Sequence, residues 1–348
     1  MGKDCGGNRE GLLWGIITMK ICLLGEFSGD LDEGMRKVSF YFAEELSKEH
    51  RVLTLDQRNV FTTNFWKDIK NFKPEIIHYI HGPSIKSFIL LKVVSLYCRD
   101  AKTVMSAMHP GFSFLSKCFI PLFKPDIVLV QSTETEGMFK KLGCNIEFLP
   151  CGVDVKKFIP VTVRVKEKLR EKYGIEKDKF VILHIGSIKV GRNVQLLEEL
   201  QRDDNQVIVV GAVSMGIDKN LVQQLESSGC LVWARYFKSV EEIYALSDCY
   251  MFPTPPMNRL NSIEMPLSVL EAMSCNLPVI TTKFGALPKV FGEGEGLFFV
   301  SKEEDFISII ETIKSSNIDV KTIEKVLPCS WENVGEKLNS IYNRLVAN

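Results

Sequence analysis

Short apolar, β-branched runs alternate along the chain with longer stretches whose apolar residues recur every three or four positions. The runs that read as strands are Ile21–Leu24, Val52–Leu55, Ile76–Ile80, Thr103–Ala107, Ile127–Gln131, Phe180–Ile185, Val207–Val210, Leu231–Trp233, Cys249–Phe252, Val279–Thr282 and Leu297–Val300. Strands separated by helix-length amphipathic segments predict parallel sheets covered by helices on both faces, an α/β class. The alternation lapses once, from Phe158 to Asp178, where VRVKEKLREKYGIEKDK is charged and poor in apolar residues. This predicts two doubly wound, Rossmann-like domains facing across a cleft, 19–160 and 179–329, with 161–178 as a linker. In the last segment, 330–348, Ser330 is placed to cap a helix, and Trp331, Val334, Leu338, Ile341, Tyr342 and Leu345 form its apolar stripe. A terminal helix of that kind is expected to pack back across the junction onto the first domain.

Length agrees with two domains, since 348 residues is about twice the roughly 150 expected of one. With 45% hydrophobic and 25% charged residues, the chain falls outside the disordered and low-complexity classes. Forty-three basic residues balance forty-three acidic ones, so no whole-molecule field exists to hold nucleic acid, and no nucleic-acid partner is expected. Ten cysteines are scattered without a Cys-x-x-Cys pair, which favours a reduced, cytoplasmic setting over a disulfide scaffold. No apolar run reaches the ~18 residues of a membrane span. Residues 1–18 form an extension read as unstructured. It has the charge-then-apolar look of a signal peptide but carries an acid and lacks a small-x-small cleavage site, and MKICLL from Met19 opens directly as a strand.

The chemistry concentrates in NSIEMPLSVLEAMSCNLP, Asn261–Pro278. Pro266 suits the first position of a helix whose free amides, from Leu267 and Ser268 onward, would meet an anion. Glu264 precedes that helix and Glu271 lies inside it. Carboxylates beside a phosphate site do not bind the anion, so they are read as acceptors for sugar hydroxyls.

This segment resembles the Glu-x7-Glu signature of the retaining GT-B glycosyltransferases of family four. FLPCGVDVKKF resembles the family's Pro-Asn-Gly-Val-Asp block, SVEEIYALSDCYMFPT its Leu-Tyr-x-x-Ala-Asp run, and DEGMRKVSFYFAEEL and GALPKVF occur in the same order. The resemblance extends from about Met19 to Leu345. It implies transfer of a sugar from a nucleotide-diphosphate donor to an acceptor hydroxyl with retained anomeric configuration. Donor would bind the second domain and acceptor the first, with no cofactor and no metal.

Residue by residue, Glu271 matches the second carboxylate, which in the family accepts from ribose hydroxyls; a helix-surface glutamate is the alternative. Ile263 stands where the first carboxylate belongs, and Glu264 comes one residue later, giving Glu-x6-Glu. In HIGSIKVGRNVQLL, Ser187 replaces the family arginine and Arg192 takes the lysine position of the diphosphate clamp, with Lys189 either a second cation or an exposed loop residue. Gly34 matches the second glycine of the family's Gly-Gly pair, with Glu33 at the first. His109 matches the histidine that contacts the donor sugar and, with Glu264, is the catalytic candidate. His81 stands one unit earlier on the acceptor side. His50 reads as a helix terminator, Asp154 as a turn residue, and Cys151 replaces the family asparagine. Asp30-Leu31-Asp32 has the form of a metal-binding Asp-x-Asp, but a turn after the first strand is the wrong context for it.

From Ser84 to Lys124 the chain carries Lys86, Lys92, Arg99, Lys102, Lys117 and Lys124 against Asp100 alone, together with Phe88, Phe112, Phe114, Phe119 and Phe123. Such a stretch, 84–124, fits either an anionic membrane surface or a buried helix with solvated lysines. The resulting expectation is a peripheral cytoplasmic glycosyltransferase acting on a lipid-linked or glycan acceptor. The rival readings are a nonenzymatic nucleotide-sugar-binding subunit and a GT-B epimerase or hydrolase.

Overall fold

The structure, a computed structural model, describes residues 18–29, 31, 34–109, 120–202, 204–211, 216–256 and 264–347. Most of the N-terminal extension lies outside them, as do Asp30, Asp32, Glu33 and Ile263, and Phe112, Phe114, Lys117 and Phe119 of the cationic stretch.

Twelve strands form two six-stranded parallel sheets. The first contains β1 (Lys20–Gly25), β2 (Arg51–Asp56), β3 (Ile76–Gly82), β4 (Lys102–Ala107), β5 (Ile127–Val130) and β6 (Ile146–Phe148), in the order β2-β1-β3-β4-β5-β6. The second contains β7 (Phe180–Ile185), β8 (Asn205–Val210), β9 (Leu231–Trp233), β10 (Cys249–Phe252), β11 (Val279–Thr282) and β12 (Leu297–Val300), in the order β12-β11-β10-β7-β8-β9. All eleven strands read from the sequence are present. The twelfth, β6, is three half-buried residues at a sheet edge, too short to leave a pattern.

Central strands such as Ile76–Gly82 are buried along their whole length because helices cover both faces of each sheet. In the first sheet the order reverses between β1 and β3, and in the second between β7 and β10. At such a switch point adjacent crossovers leave to opposite sides, opening a crevice beyond the carboxyl ends of the strands. Each half thus presents one ready-made crevice, and the residues that follow β1, β3 and β7 are placed in them.

The segment 161–178, expected as a linker, contains a helix, Val163–Tyr173. Its charged sequence hides one anchor: Arg170 is 6% exposed, donating to Asp248 and to the carbonyls of Leu246, Lys177 and Lys179. That helix is therefore fixed to the second half.

The terminal helix, Trp331–Ala347, does cross back. Ser330 Oγ accepts from the Asn333 amide at 3.1 Å, the expected cap. The Val153 amide donates to Cys329 and the Trp331 amide to Val153, at 2.9 and 3.1 Å. Trp331 stacks on Tyr41 of the Gly34–Ser47 helix at 4.8 Å between ring centres. Deeper, His78 on β3 bonds Tyr342 through Nδ1 at 2.6 Å and Ser106 through Nε2 at 2.8 Å. His50, read as a helix terminator, closes the Gly34–Ser47 turn, accepts from the Met19 amide through Nδ1 and bonds Asn339 through Nε2.

Two predictions concern this junction. A Cβ on Gly152 would fall against the Trp331 ring and 3.0 Å from its Cα, whereas one on Gly137 meets nothing within 4 Å. Gly152→Ala is expected to cost about 1–3 kcal/mol by overpacking, while Gly137→Ala on an exposed helix is neutral or stabilising; urea melts of both variants check this. The second concerns acid. Burial pushes His78 from its ordinary 6.5 down to about 3 and His184 down to about 4. The unfolded chain then binds more protons than the folded one below pH about 6.5, so stability is greatest above that value and falls as pH drops towards 3. Denaturant melts across that range should show the decline, and a shallower one in His78→Gln; an unchanged slope would remove His78 from the account.

Candidate functional site

The second half supplies the helix Leu267–Ser274, which begins one residue after Pro266; the proline stands at the N-cap rather than at the first helical position read for it. Leu267 and Ser268 open the helix with amides that have no intrahelical partner. Ser268 Oγ also bonds the Tyr250 hydroxyl at 2.8 Å, which fixes the helix start over β10.

Glu271, one turn further, is 5% exposed. Its Oε1 accepts from Lys37 Nζ at 2.6 Å and its Oε2 from the Tyr244 hydroxyl at 2.7 Å. Lys37 belongs to the first half, so this buried ion pair spans the junction. Glu271 and Lys37 line a cleft of about 60 Å³ together with Tyr41, Asp154, Tyr236 and Leu267. Glu271 is thus no helix-surface residue.

Glu264 is 3% exposed. Its Oε1 accepts from Ser132 Oγ at 2.5 Å and from the Thr135 hydroxyl, while Oε2 is buried without a hydrogen-bond partner. Burial pushes its carboxyl above the ordinary carboxylate range, and the two hydroxyls only partly offset this. The Glu264 amide donates to the Met108 carbonyl at 3.0 Å. That bond sets Glu264 beside half-buried His109, whose imidazole burial holds below 6.5. The two catalytic candidates thus have neighbouring backbones where the halves touch, while the Glu264 carboxylate is turned to Ser132 and Thr135.

Ser187, Lys189 and Arg192 follow β7 at the switch point of the second sheet. Ser187 Oγ is buried without a hydrogen-bond partner. Arg192 is half-buried; burial lowers its pKa from 12.5, and its charge in turn lowers that of His184. His184 donates from Nδ1 to the Met251 carbonyl, and its Nε2 is left buried and unpartnered. Lys189 is exposed.

At the first sheet's switch point, His81 is the last residue but one of β3 and Glu26 follows β1. His81 Nε2 bonds Ser39 Oγ at 2.9 Å, and Nδ1 lies 3.4 Å from Gln57 Nε2 and 4.0 Å from the Glu26 carboxylate. Burial lowers the His81 pKa, and nearby His109 adds to that. Gly34 is the first residue of its helix, three positions before Lys37. Asp154 makes the turn read for it, accepting from the Lys156 and Lys157 amides. Cys151 is buried and accepts from Gln131.

Sequence reasoning missed Lys37, Tyr244, Ser132 and Thr135. Lys37 and Tyr244 sit inside blocks that carry the resemblance, but nothing local marks either as facing Glu271. Among the described residues, no group of three or more His, Cys, Asp and Glu could hold a metal ion, no helix is long and apolar enough to cross a membrane, and the cysteines Cys22, Cys98, Cys144, Cys151, Cys230, Cys249, Cys275 and Cys329 are all unpaired.

Residues 179–315 match the model of the glycosyl transferases group 1 family. Over 270 residues the chain is 26% identical to the sulfoquinovosyl transferase SQD2 of Arabidopsis thaliana, covering 71% of this chain and 51% of that protein. Over 238 residues it is 26% identical to a GDP-mannose-dependent monoacylated α-(1-6)-phosphatidylinositol monomannoside mannosyltransferase of Corynebacterium glutamicum, covering 62% and 61%. The chain thus spans about half to three fifths of these relatives' lengths. Among solved structures, sucrose-phosphate synthase of Thermosynechococcus elongatus superposes with a TM-score of 0.76 at 15% identity, over 94% of this chain and 99% of that one. HepE of Anabaena, solved with UDP and glucose, superposes with a TM-score of 0.68 at 15% identity, over 94% and 98%. Residues 179–315 are thus similar to the glycosyl transferases group 1 family, and the two parallel sheets have the GT-B fold of the glycosyltransferases the chain resembles.

Proposed function

We propose that the protein is a retaining, metal-independent glycosyltransferase that moves a sugar from a nucleotide-diphosphate donor to a hydroxyl of a lipid-linked or glycan acceptor. The observation that carries this reading is the convergence on one junction of Glu264 and Glu271, from a single segment of the second half, with His109 and Lys37 from the first. One relative named above is a mannosyltransferase for a phosphatidylinositol monomannoside, another a sulfoquinovosyl transferase, and HepE was solved with UDP and glucose.

In this reading the donor diphosphate lies against the free amides of Leu267 and Ser268, with Arg192 as principal cation, Lys189 as an outer one and the Ser187 hydroxyl as a donor. Glu271 accepts from the ribose hydroxyls, Gly34 lets the first half's loop approach, and Glu264 and His109 hold the donor sugar. The acceptor enters from the His81 side. Its oxygen bonds to the anomeric carbon on the face that the diphosphate leaves. The carbon–oxygen bond to the diphosphate breaks, and the acceptor proton passes to the departing phosphate oxygen. That proton path explains why no separate base is required. Cleft closure excludes water, which would otherwise compete as acceptor.

A second reading, a nucleotide-sugar-binding subunit without turnover, draws on Ser187 in place of a clamp arginine. Incubation of the purified protein with a panel of nucleotide sugars separates them, since binding without donor consumption in the presence of acceptors would favour the subunit.

Two predictions test the donor site. Glu271→Ala should weaken donor binding by on the order of 1–3 kcal/mol, because ribose hydroxyls lose their acceptor in a desolvated cleft; Glu264→Ala should lower turnover more than nucleotide affinity. Calorimetry and initial rates distinguish the two, and a Glu271→Ala protein with unaltered affinity and rate would refute the donor assignment. Arg192→Ala should weaken nucleoside-diphosphate binding at least tenfold and leave nucleoside binding nearly unchanged, while activity persists in EDTA; equal losses for both ligands would move Arg192 away from the phosphates.

A further inference from the structure

Beyond the junction, the first half holds a larger cavity, about 920 Å³, that the donor does not account for. Its inner end is polar. Glu26, Gln57, Tyr79 and His81 converge there: Tyr79 donates to Gln57, Gln57 reaches both Glu26 and His81, and Arg36 sits 3.6 Å from Glu26. Its outer wall is apolar, built from Val60, Phe61, Trp66, Ile89, Leu90 and Val93. Arg58 and Lys86 stand among these residues.

The outer wall continues onto an uncovered face of the helix Ile85–Tyr97. Ile89 and Val93 are each 44% exposed, Leu96 is 63% and Phe61 is 97%. The segment 84–99 contains Lys86, Lys92 and Arg99 and no acidic residue. A folded protein leaves such a contiguous apolar surface open where something else covers it. The cations beside it select against a neutral apolar partner and for one that carries negative charge.

We infer that this cavity binds an anionic amphiphile, with its hydroxyl-bearing head at Glu26, Gln57 and His81, its phosphate-like group at Arg58 and Lys86, and its apolar chain along Phe61, Ile89 and Val93. The inference deepens the transferase reading and rests on it, because the head is then the acceptor. The polar end adjoins the reaction centre: the amide of Met108, next to His109, donates to the carbonyl of Gly82, next to His81, at 2.9 Å. The volume lies within the 300–1,000 Å³ usual for small-molecule sites, so it takes part of a chain rather than a bilayer.

The test is calorimetric titration with butyl, hexyl and octyl phosphate below their micelle concentrations, with octyl glucoside as the uncharged control and UDP and GDP as separate ligands. Affinity should rise about two- to fourfold per methylene, the factor expected for transfer of a CH2 group out of water. Lys86→Glu should weaken the phosphates more than the glucoside. Ile89→Glu and Val93→Glu, at half-exposed positions with little risk to folding, should flatten the chain-length series and leave nucleotide affinity and melting temperature unchanged. An affinity independent of chain length, a series insensitive to Ile89→Glu, or binding to phosphatidylglycerol vesicles without binding of the alkyl phosphates would each overturn the inference, the last in favour of surface docking. Loss of nucleotide binding alone would sink the transferase reading and leave the cavity assignment standing.

Discussion

The backbone at Glu264 ties the two sheets together, and the site depends on it. Its amide donates to Met108 at the end of the first sheet, and its carbonyl accepts from Ala286 of the second at 2.8 Å. The close approach requires Gly285, which holds a left-handed φ of +52° and where any Cβ would strike the Glu264 carbonyl. Because the Leu267–Ser274 helix starts three residues on, this one contact also sets where Leu267, Ser268 and Glu271 lie relative to the first half. The crossing of Trp331–Ala347 is a second tether, and it adjoins the first around Cys151–Val153, where the Cys151 amide donates to Met265 Sδ at 3.2 Å and Val153 pairs with Cys329 and Trp331.

The two carboxylates at the seam draw partners from both halves. Glu271 has one oxygen on Lys37 and one on Tyr244, so a ligand hydroxyl that seeks Glu271 competes with one of them. Breaking the Lys37 bond entirely would strand a buried carboxylate, a cost of several kcal/mol, unless the ligand itself supplies donors. Glu264 differs: one oxygen carries two hydroxyl donors and the other has none. A carboxyl so buried leans toward its protonated form, and its unpartnered oxygen is the part able to meet a ligand.

What the sequence made legible follows from the range of the interactions. Strands of buried Val, Ile and Leu declare themselves locally, so eleven of twelve could be read, and the residues after β3 and β7 could be placed at crevices from strand order alone. Glu271, Arg192 and His109 could be proposed as site residues because they sit in blocks with a recognisable pattern. Lys37, Ser132 and Thr135 were not, since their meaning comes from residues 234, 132 and 129 positions away. The helix Val163–Tyr173 was hidden for another reason: its burial rests on an arginine capping carbonyls and Asp248, which composition reads as solvent. The cavity beside His81 was likewise invisible, because it is a gap among side chains from β3, three helices and the segments that follow β1 and β2.

The two crevices share a topology but differ in charge, and that difference divides their tasks. Beyond β7 stand Arg192, Lys189 and the open amides of Leu267 and Ser268, a set that favours an anion. At the carboxyl ends of β1 to β4 stand Glu26, Gln57 and two imidazoles that burial keeps in the neutral form, a set that favours hydroxyls. With 43 charges of each sign the molecule as a whole steers neither kind of ligand. Discrimination therefore falls to these local sets, which act once a ligand is within about a Debye length, 8–10 Å in ordinary salt. The two sets come nearest one another where the Glu264 amide meets the Met108 carbonyl, so the physical seam between the sheets is also where their chemistries adjoin.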